Sequence, residues 1–255
     1  MLAAWDEVLP RLRRARRVCL FVDFDGTLAP IQPDPGSVRL APPTRSVLNR
    51  LARKKILLGI VSGRSLAYLR RWVRLRDIWY AGSHGGILGK QAGPRHFLVR
   101  PAERAAIGRL GRRLASRLAG MPGIGIHRKE TSVAVHYRFA SARQRRAARK
   151  ALETVLQQCP GMQLLPGKKV WEILPGTVAG KGRAIGWILR RHRQAKDNRR
   201  LLVFLGDDAT DEQVFRTMQG ISIAVGKRRQ TAARYYLRSP AEVRAFLERL
   251  HEARS

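Results

Sequence analysis

Val18-Cys19-Leu20-Phe21-Val22-Asp23-Phe24-Asp25-Gly26-Thr27 is the stretch on which the reading of this chain turns. Five apolar residues in a row describe a short strand buried on both faces. Two carboxylates at i and i+2 follow, then a glycine and a threonine. In an open α/β sheet, ligands bind outside the carboxyl ends of the strands. Asp23 and Asp25 leave the strand where both can face that crevice. Asp and Gly are also ordinary turn residues, so the stretch acquires chemical meaning only from what accompanies it.

Working outward, Ile56–Val61, Leu201–Leu205 and Ile221–Val225 are further apolar runs of strand length. Helical stripes lie between them: Val47, Leu48 and Leu51; Leu66, Leu69 and Val73 after Ser65. At the end, Val243, Phe246, Leu247 and Leu250 follow a capping-box start, Ser239-Pro240-Ala241-Glu242. Such alternation implies an α/β fold, a doubly wound and mainly parallel sheet. The middle reads differently. Two helical stripes (Ile107, Leu110, Leu114, Leu118 and Ala148, Leu152, Val155, Leu156) are each followed by short alternating segments, among them Ser132–Arg138 and Val170–Leu174. This describes an inserted α+β domain over 96–175, within a core formed by 1–95 and 176–255, with Gly93-Pro94 and Pro175-Gly176 punctuating the junctions.

Hydrophobic residues make up 44% of the 255, ample for a buried core. No apolar stretch approaches the roughly 20 residues that cross a bilayer, so membrane insertion is not expected. The first twenty residues lack a secretory pattern, and Cys19 and Cys159 lack metal-ligand spacing. A cytoplasmic location is the expectation. Lys plus Arg number 51 against 18 acidic residues, a net charge of +33. That potential attracts polyanions. The basic residues are scattered, however, and no nucleic-acid module accompanies them, so nucleic-acid binding is not the favoured reading.

Three further segments point at the same crevice. Ser62-Gly63-Arg64 follows the strand Ile56–Val61, where a hydroxyl and backbone amides before a helix can cradle a phosphate. Lys181 opens the helix after the insert and would bring a point charge to a phosphate. Gly206-Asp207-Asp208-Ala209-Thr210-Asp211-Glu212 follows the strand Leu201–Leu205. Four acids within six residues repel one another unless a cation intervenes, and all-oxygen ligands suit Mg²⁺. A strand-to-helix turn, a surface lysine and an acidic helix start are the plain alternatives, taken one at a time.

Together, Asp23-x-Asp25-x-Thr27, Ser62, Lys181 and Gly206-Asp207-Asp208 resemble the four motifs of the haloacid dehalogenase superfamily, which has a Rossmann-like core. The second aspartate resembles its phosphatase and mutase branches. A closer similarity covers nearly the whole chain. Asp23–Pro33 with Asp34-Pro35, Gly82-Ser83-His84-Gly85, the strand ending His136-Tyr137-Arg138, Gly167-Lys168-Lys169-Val170-x-Glu172-x-x-Pro175 and Gly206–Phe215 resemble trehalose-6-phosphate phosphatases.

The resemblance implies a Mg²⁺-dependent hydrolase of a sugar phosphate, with trehalose 6-phosphate first and another sugar or glycoside phosphate second. It implies Asp23 as nucleophile and Asp25 as general acid and base. Thr27, Ser62, Gly63 and Lys181 would bind phosphate. Asp23, Asp25 (through its carbonyl), Asp207 and either Asp208 or Asp211 would attend the metal. The insert would be a cap in which Lys129, His136, Arg138 and Glu172 hold sugar; His136 reads equally as a core residue of its strand. A non-catalytic polyanion binder on the same fold is the rival from another class. Two positions depart from the family pattern: Ile87 and His127 stand where glutamates are usual. The expectation is weaker or less selective handling of trehalose 6-phosphate.

Overall fold

The computed structural model describes residues 4–254 apart from 55, 168, 179, 193–199 and 227–229. Lys168, quoted above, lies outside the described residues. In chain order the strands are β1 (Arg17–Val22), β2 (Ile56–Val61), β3 (Trp79–Gly82), β4 (Ile87–Gly89), β5 (His96–Phe97), β6 (Gly125–Arg128), β7 (Val133–His136), β8 (Met162–Gly167), β9 (Val170–Pro175), β10 (Arg200–Gly206), β11 (Gly220–Val225) and β12 (Tyr235–Leu237). The helices are α1 (Trp5–Arg14), α2 (Pro42–Ala52), α3 (Leu66–Val73), α4 (Pro101–Arg117), α5 (Ala142–Gln157), α6 (Lys181–Arg191), α7 (Ala209–Thr217) and α8 (Pro240–Ala253). By contacts the chain divides into Met1–His96 with Gly180–Ser255, and Phe97–Ala179.

The first unit holds a sheet ordered β12-β11-β10-β1-β2-β3-β4-β5. The pairs from β12 through β3 are parallel, and β4 runs antiparallel to β3. The apolar runs become its central strands because each is flanked by helices, leaving neither face to water. Val18 through Val22 and Ile56 through Val61 are all buried. From β1 the chain adds β2 and β3 on one side and later β10 and β11 on the other. The order therefore reverses at β1, the position where open α/β sheets leave a crevice. Ser65 caps α3, accepting from the Tyr68 N–H at 3.2 Å. Ser239 likewise accepts from the Glu242 N–H, but Glu242 Oε2 takes the N–H of Arg238 at 2.9 Å, so the expected box closes one residue early.

The second unit is a two-layer α+β domain. Its four antiparallel strands run β6-β7-β9-β8. Strand alternation sends Val133, Val135, Trp171 and Ile173 into a core with Ile107, Leu110 and Leu114 of α4 and Leu152 and Val155 of α5. The intervening residues, Ala134 and Glu172, form a register pair on the opposite face. Among the described residues no helix is long and apolar enough to cross a membrane.

Candidate active site

The Asp23 N–H donates to Leu205 O at 2.9 Å, which carries the β1–β10 pairing one residue past the strand and brings Asp23 beside the loop after β10. Asp23 is 4% exposed and Lys181, the first residue of α6, only 1%. Lys181 Nζ donates to Asp23 Oδ1 and to Asp211 Oδ1, both at 2.7 Å, and lies 3.8 Å from Asp208 Oδ1. The other Asp211 oxygen accepts the N–H groups of Asp207 and Asp208 at 3.1 and 3.0 Å. Asp211 thereby locks the loop after β10. Asp208 caps α7, accepting the N–H of Thr210 at 2.8 Å and its hydroxyl at 2.6 Å.

The charge balance of this group is negative. Burial pushes the Asp23 carboxyl well above the usual range; Lys181 opposes this and the neighbouring aspartates add to it. Burial likewise pushes Asp211 up to about 7. Burial works against Asp208 too, but Lys181 and Thr210 hold it below the ordinary carboxylate range. Lys181 stays firmly protonated although burial works against it, because three carboxylates surround it. Carboxylate oxygens of Asp23, Asp207 and Asp211 come within 4.8 Å of one another. A single ammonium cannot neutralise such a set, whereas a hard divalent cation suits its all-oxygen chemistry. Gly26, at φ 85°, leaves the room required: a Cβ there would lie 2.2 Å from Asp207 Oδ2. The residues present therefore fit a metal. The Asp25 carboxylate is held by Arg64, which leaves its carbonyl as the ligand expected of it, and the Asp208 carboxylate, the expected alternative to Asp211, is taken up on the helix cap.

Thr27 is fully buried, and its Oγ1 has no hydrogen-bond partner among the described residues. A buried hydroxyl left unpaired is costly, and a bound anion would satisfy it. Ser62 is 1% exposed, and its Oγ accepts from the Arg64 N–H at 3.1 Å, which leaves its hydroxyl proton for another acceptor. Gly63 packs against the His84 ring so closely that a Cβ would meet it at 2.8 Å. His84 and Ser83 both adopt left-handed φ, 54° and 49°, a strained turn held by hydrogen bonds to Ser62 O and Arg64 O. Arg64 forks onto Asp25, with Nε on Oδ2 at 2.8 Å and Nη2 on Oδ1 at 2.5 Å. In the sequence Arg64 is distinguished only as part of a turn. No periodicity or spacing singles it out.

In the second unit, Glu172 accepts Lys129 Nζ on both oxygens, at 2.8 and 3.0 Å, and the Ser132 hydroxyl at 2.6 Å. His136 is half-buried beside this group and not in the apolar core. Burial lowers its pKa, as do Lys129 and Arg138, with Glu172 opposing. His127, exposed in β6, is shifted in the same direction by partial desolvation and by Lys129. Lys129, His136, Arg138 and Glu172 are thereby brought into one polar neighbourhood, which Ser132 joins. Ile87, by contrast, is 2% exposed in β4 of the first unit.

Residues 21–241 match the family model described as trehalose-phosphatase. The chain is 32% identical over 259 residues to "Probable trehalose-phosphate phosphatase 4" of Oryza sativa subsp. japonica, covering 98% of this chain and 70% of that one. It is 36% identical over 245 residues to "Trehalose-phosphate phosphatase" of Mycobacterium bovis, covering 92% and 62%. A crystal structure titled as a trehalose-6-phosphate phosphatase related protein superposes with a TM-score of 0.78 at 26% identity, covering 92% of this chain and 97% of that one. Its motifs at the strand ends, its inserted α+β unit and these likenesses over almost its full length agree: this chain belongs to the trehalose-phosphatase family of haloacid dehalogenase-fold enzymes.

Proposed function

We propose that this chain hydrolyses trehalose 6-phosphate to trehalose and inorganic phosphate through an aspartyl-phosphate on Asp23, with Mg²⁺ as cofactor, in the cytoplasm. The observation that carries the reading is the pairing of buried Asp23 with buried Lys181 at 2.7 Å, with Thr27, four residues after Asp23, keeping a buried hydroxyl that has no hydrogen-bond partner among the described residues. A carboxylate fixed by an ammonium is an oriented nucleophile, and the same ammonium offsets charge on a transferring phosphoryl group. The relatives' designation as trehalose-phosphate phosphatases supports the substrate.

Asp23 attacks phosphorus in line, so that a P–O bond to its carboxylate forms as the P–O bond to the sugar breaks. Asp25, protonated on an oxygen that Arg64 releases, gives that proton to the departing sugar oxygen. Water then attacks the phosphoenzyme, Asp25 takes the proton and Asp23 is freed. Thr27, Ser62 and the backbone at Gly63 hold the phosphoryl oxygens. Asp23, Asp207 and the carbonyl of Asp25 would hold Mg²⁺, which when bound neutralises negative charge on the phosphoryl group. Asp211 positions the loop that carries Asp207. Lys129, His136, Arg138 and Glu172 supply hydrogen bonds to the sugar.

The test is phosphate release from a panel of sugar phosphates and an aryl phosphate, with and without Mg²⁺. Trehalose 6-phosphate should lead the panel, by a modest margin given His127. No release from any sugar phosphate under Mg²⁺ would end the reading. A distinctly better sugar phosphate would keep the chemistry and replace the substrate.

A further inference from the structure

The end of the first unit opposite Asp23 holds a second concentration of charge. α3 runs back from the carboxyl end of β2 and stops at Arg74. β4, antiparallel to β3, also ends at that edge and hands over to Lys90-Gln91-Ala92. Between these segments lies a cavity of about 990 Å³ lined by Arg70, Arg71, Arg74, Arg76 and Lys90, with Asp77 as the one acid. Its size falls at the upper end of small-molecule sites, which span ~300–1,000 Å³.

Helix electrostatics explain part of this. Cations favour a helix C-terminus, which accounts for Arg70, Arg71 and Arg74. It does not account for Arg76 in the following loop, nor for Lys90, which arrives from a different strand. Asp77 forms no ion pair within the described residues, so none of the five cations is neutralised by it. The walls are also pre-organised. Arg70 Nε donates to Lys90 O at 2.7 Å, and Gln91 Nε2 donates to Arg70 O at 3.1 Å, tying helix to turn. Gly89 permits this, since a Cβ there would lie 2.5 Å from Arg70 Nη2. Arg74 sits at φ 57°, a left-handed position where glycine or asparagine would be easier, and its Nε donates to Arg71 O at 2.9 Å. Arg70 Nη2 also donates to Gly93 O at 3.4 Å. A guanidinium has five N–H donors, so Arg70 and Arg74 each keep donors that these bonds do not use.

We propose that this cavity is a binding site for a polyvalent phosphate chain, as in tripolyphosphate or the phosphate tail of a nucleotide, separate from the catalytic crevice. Guanidinium forks match phosphate oxygens in pairs. Five cations against one acid suit an anion of three or four charges better than a monophosphate. The lining contains no aromatic ring on which a base could stack. The site therefore reads the phosphates and not what they are attached to.

Isothermal titration of the full chain with inorganic tripolyphosphate tests this, in metal-free buffer at about 150 mM salt, where diffuse surface attraction is largely screened. One binding event per chain is expected. Arg76→Gln with Lys90→Gln should weaken it tenfold or more, and Arg74→Glu with Lys90→Glu should abolish it. Arg143→Glu with Arg146→Glu, a charge reversal on α5, should leave it unchanged. Melting curves of each variant separate lost binding from lost folding, and the milder pair serves if the reversal does not fold. Absent binding, equal weakening by the α5 pair, or binding indifferent to Arg76→Gln with Lys90→Gln would overturn the site. Adenosine triphosphate provides a second arm. Equal affinity supports recognition of the phosphate chain alone, and tighter binding of the nucleotide would overturn the claim that only phosphates are read.

Discussion

Arg64 holds Asp25 by both carboxylate oxygens, at 2.8 and 2.5 Å, while its guanidinium carbon lies 4.4 Å from the centre of the Tyr68 ring. Tyr68 is in turn anchored, donating its hydroxyl to Val38 O at 2.6 Å. A planar fork against a planar carboxylate fixes orientation as well as position. Arg64 is therefore a positioning residue for the proposed proton donor. Arg64→Ala should lower kcat by roughly ten- to a hundredfold, as misplacement of a catalytic group does. Arg64→Lys should recover little, because an ammonium cannot fork. The check is kcat and KM on trehalose 6-phosphate with the pH profile of kcat. A profile and kcat matching wild type would remove Arg64 from the reaction.

Asp23→Asn should abolish turnover, since an amide is no nucleophile. Its effect on stability should run the other way. The fold already disfavours the charged form of Asp23, through burial and three nearby aspartates. Replacing it by a neutral side chain of the same shape should leave the Tm in chelator unchanged or raised, while shrinking the gain from Mg²⁺. A large fall in Tm without metal would show that the Lys181 pair outweighs the repulsion.

Removing metal should silence the enzyme and couple its stability to pH. Asp211 is raised to about 7 from 3.8, and Asp23 is raised as well. In chelator the folded chain thus keeps protons that the unfolded chain has released. Their stabilising contribution is complete below about pH 4 and is lost as pH rises through about 7. Histidines with lowered pKa, such as His136 and His192, act in the opposite sense with or without metal. The informative quantity is therefore the gap in Tm between Mg²⁺ and EDTA, which should widen from about pH 4 to 7. A gap that is constant or narrows over this window would contradict the charge balance described.

Glu172 is the acceptor on which Lys129 and Ser132 converge. Glu172→Gln should raise KM for trehalose 6-phosphate by roughly tenfold, the scale of one hydrogen bond to a charged group. Turnover of an aryl phosphate, which has no sugar to hold, should stay near wild type. Equal losses on both substrates would mean that the cluster supports the fold of the unit and not the sugar.

His127 and Ile87 depart from the family pattern in different settings. His127 lies exposed in β6, near Lys129, and His127→Glu should sharpen the preference for trehalose 6-phosphate over an aryl phosphate. Ile87 is buried in β4, so Ile87→Glu would desolvate a charge and should lower the Tm. Selectivity assays on the first variant and melting curves on the second check these outcomes. An unchanged preference after His127→Glu would place the gripping residues elsewhere.

What the linear chain determined by itself was whatever depends on near neighbours. Strands buried on both faces show as unbroken apolar runs, and Ile56–Val61 is found as read. Catalytic candidates are visible because each leaves a strand or opens a helix. Elements whose burial is sparse left little trace: α1 buries only Val8 and Leu12 and contains Pro10, and β6 is mostly exposed. Only the tertiary structure decided the long-range pairs. Lys181 meets Asp23 across 158 positions, and Arg64 meets Asp25 across 39. It also decided that Asp208 caps a helix while Asp211 is the buried anchor, although the sequence offers the two as alternatives beside the metal. Periodicity records which face of an element is dry. Which two polar side chains share a dry place depends on how strands distant in sequence come to lie side by side.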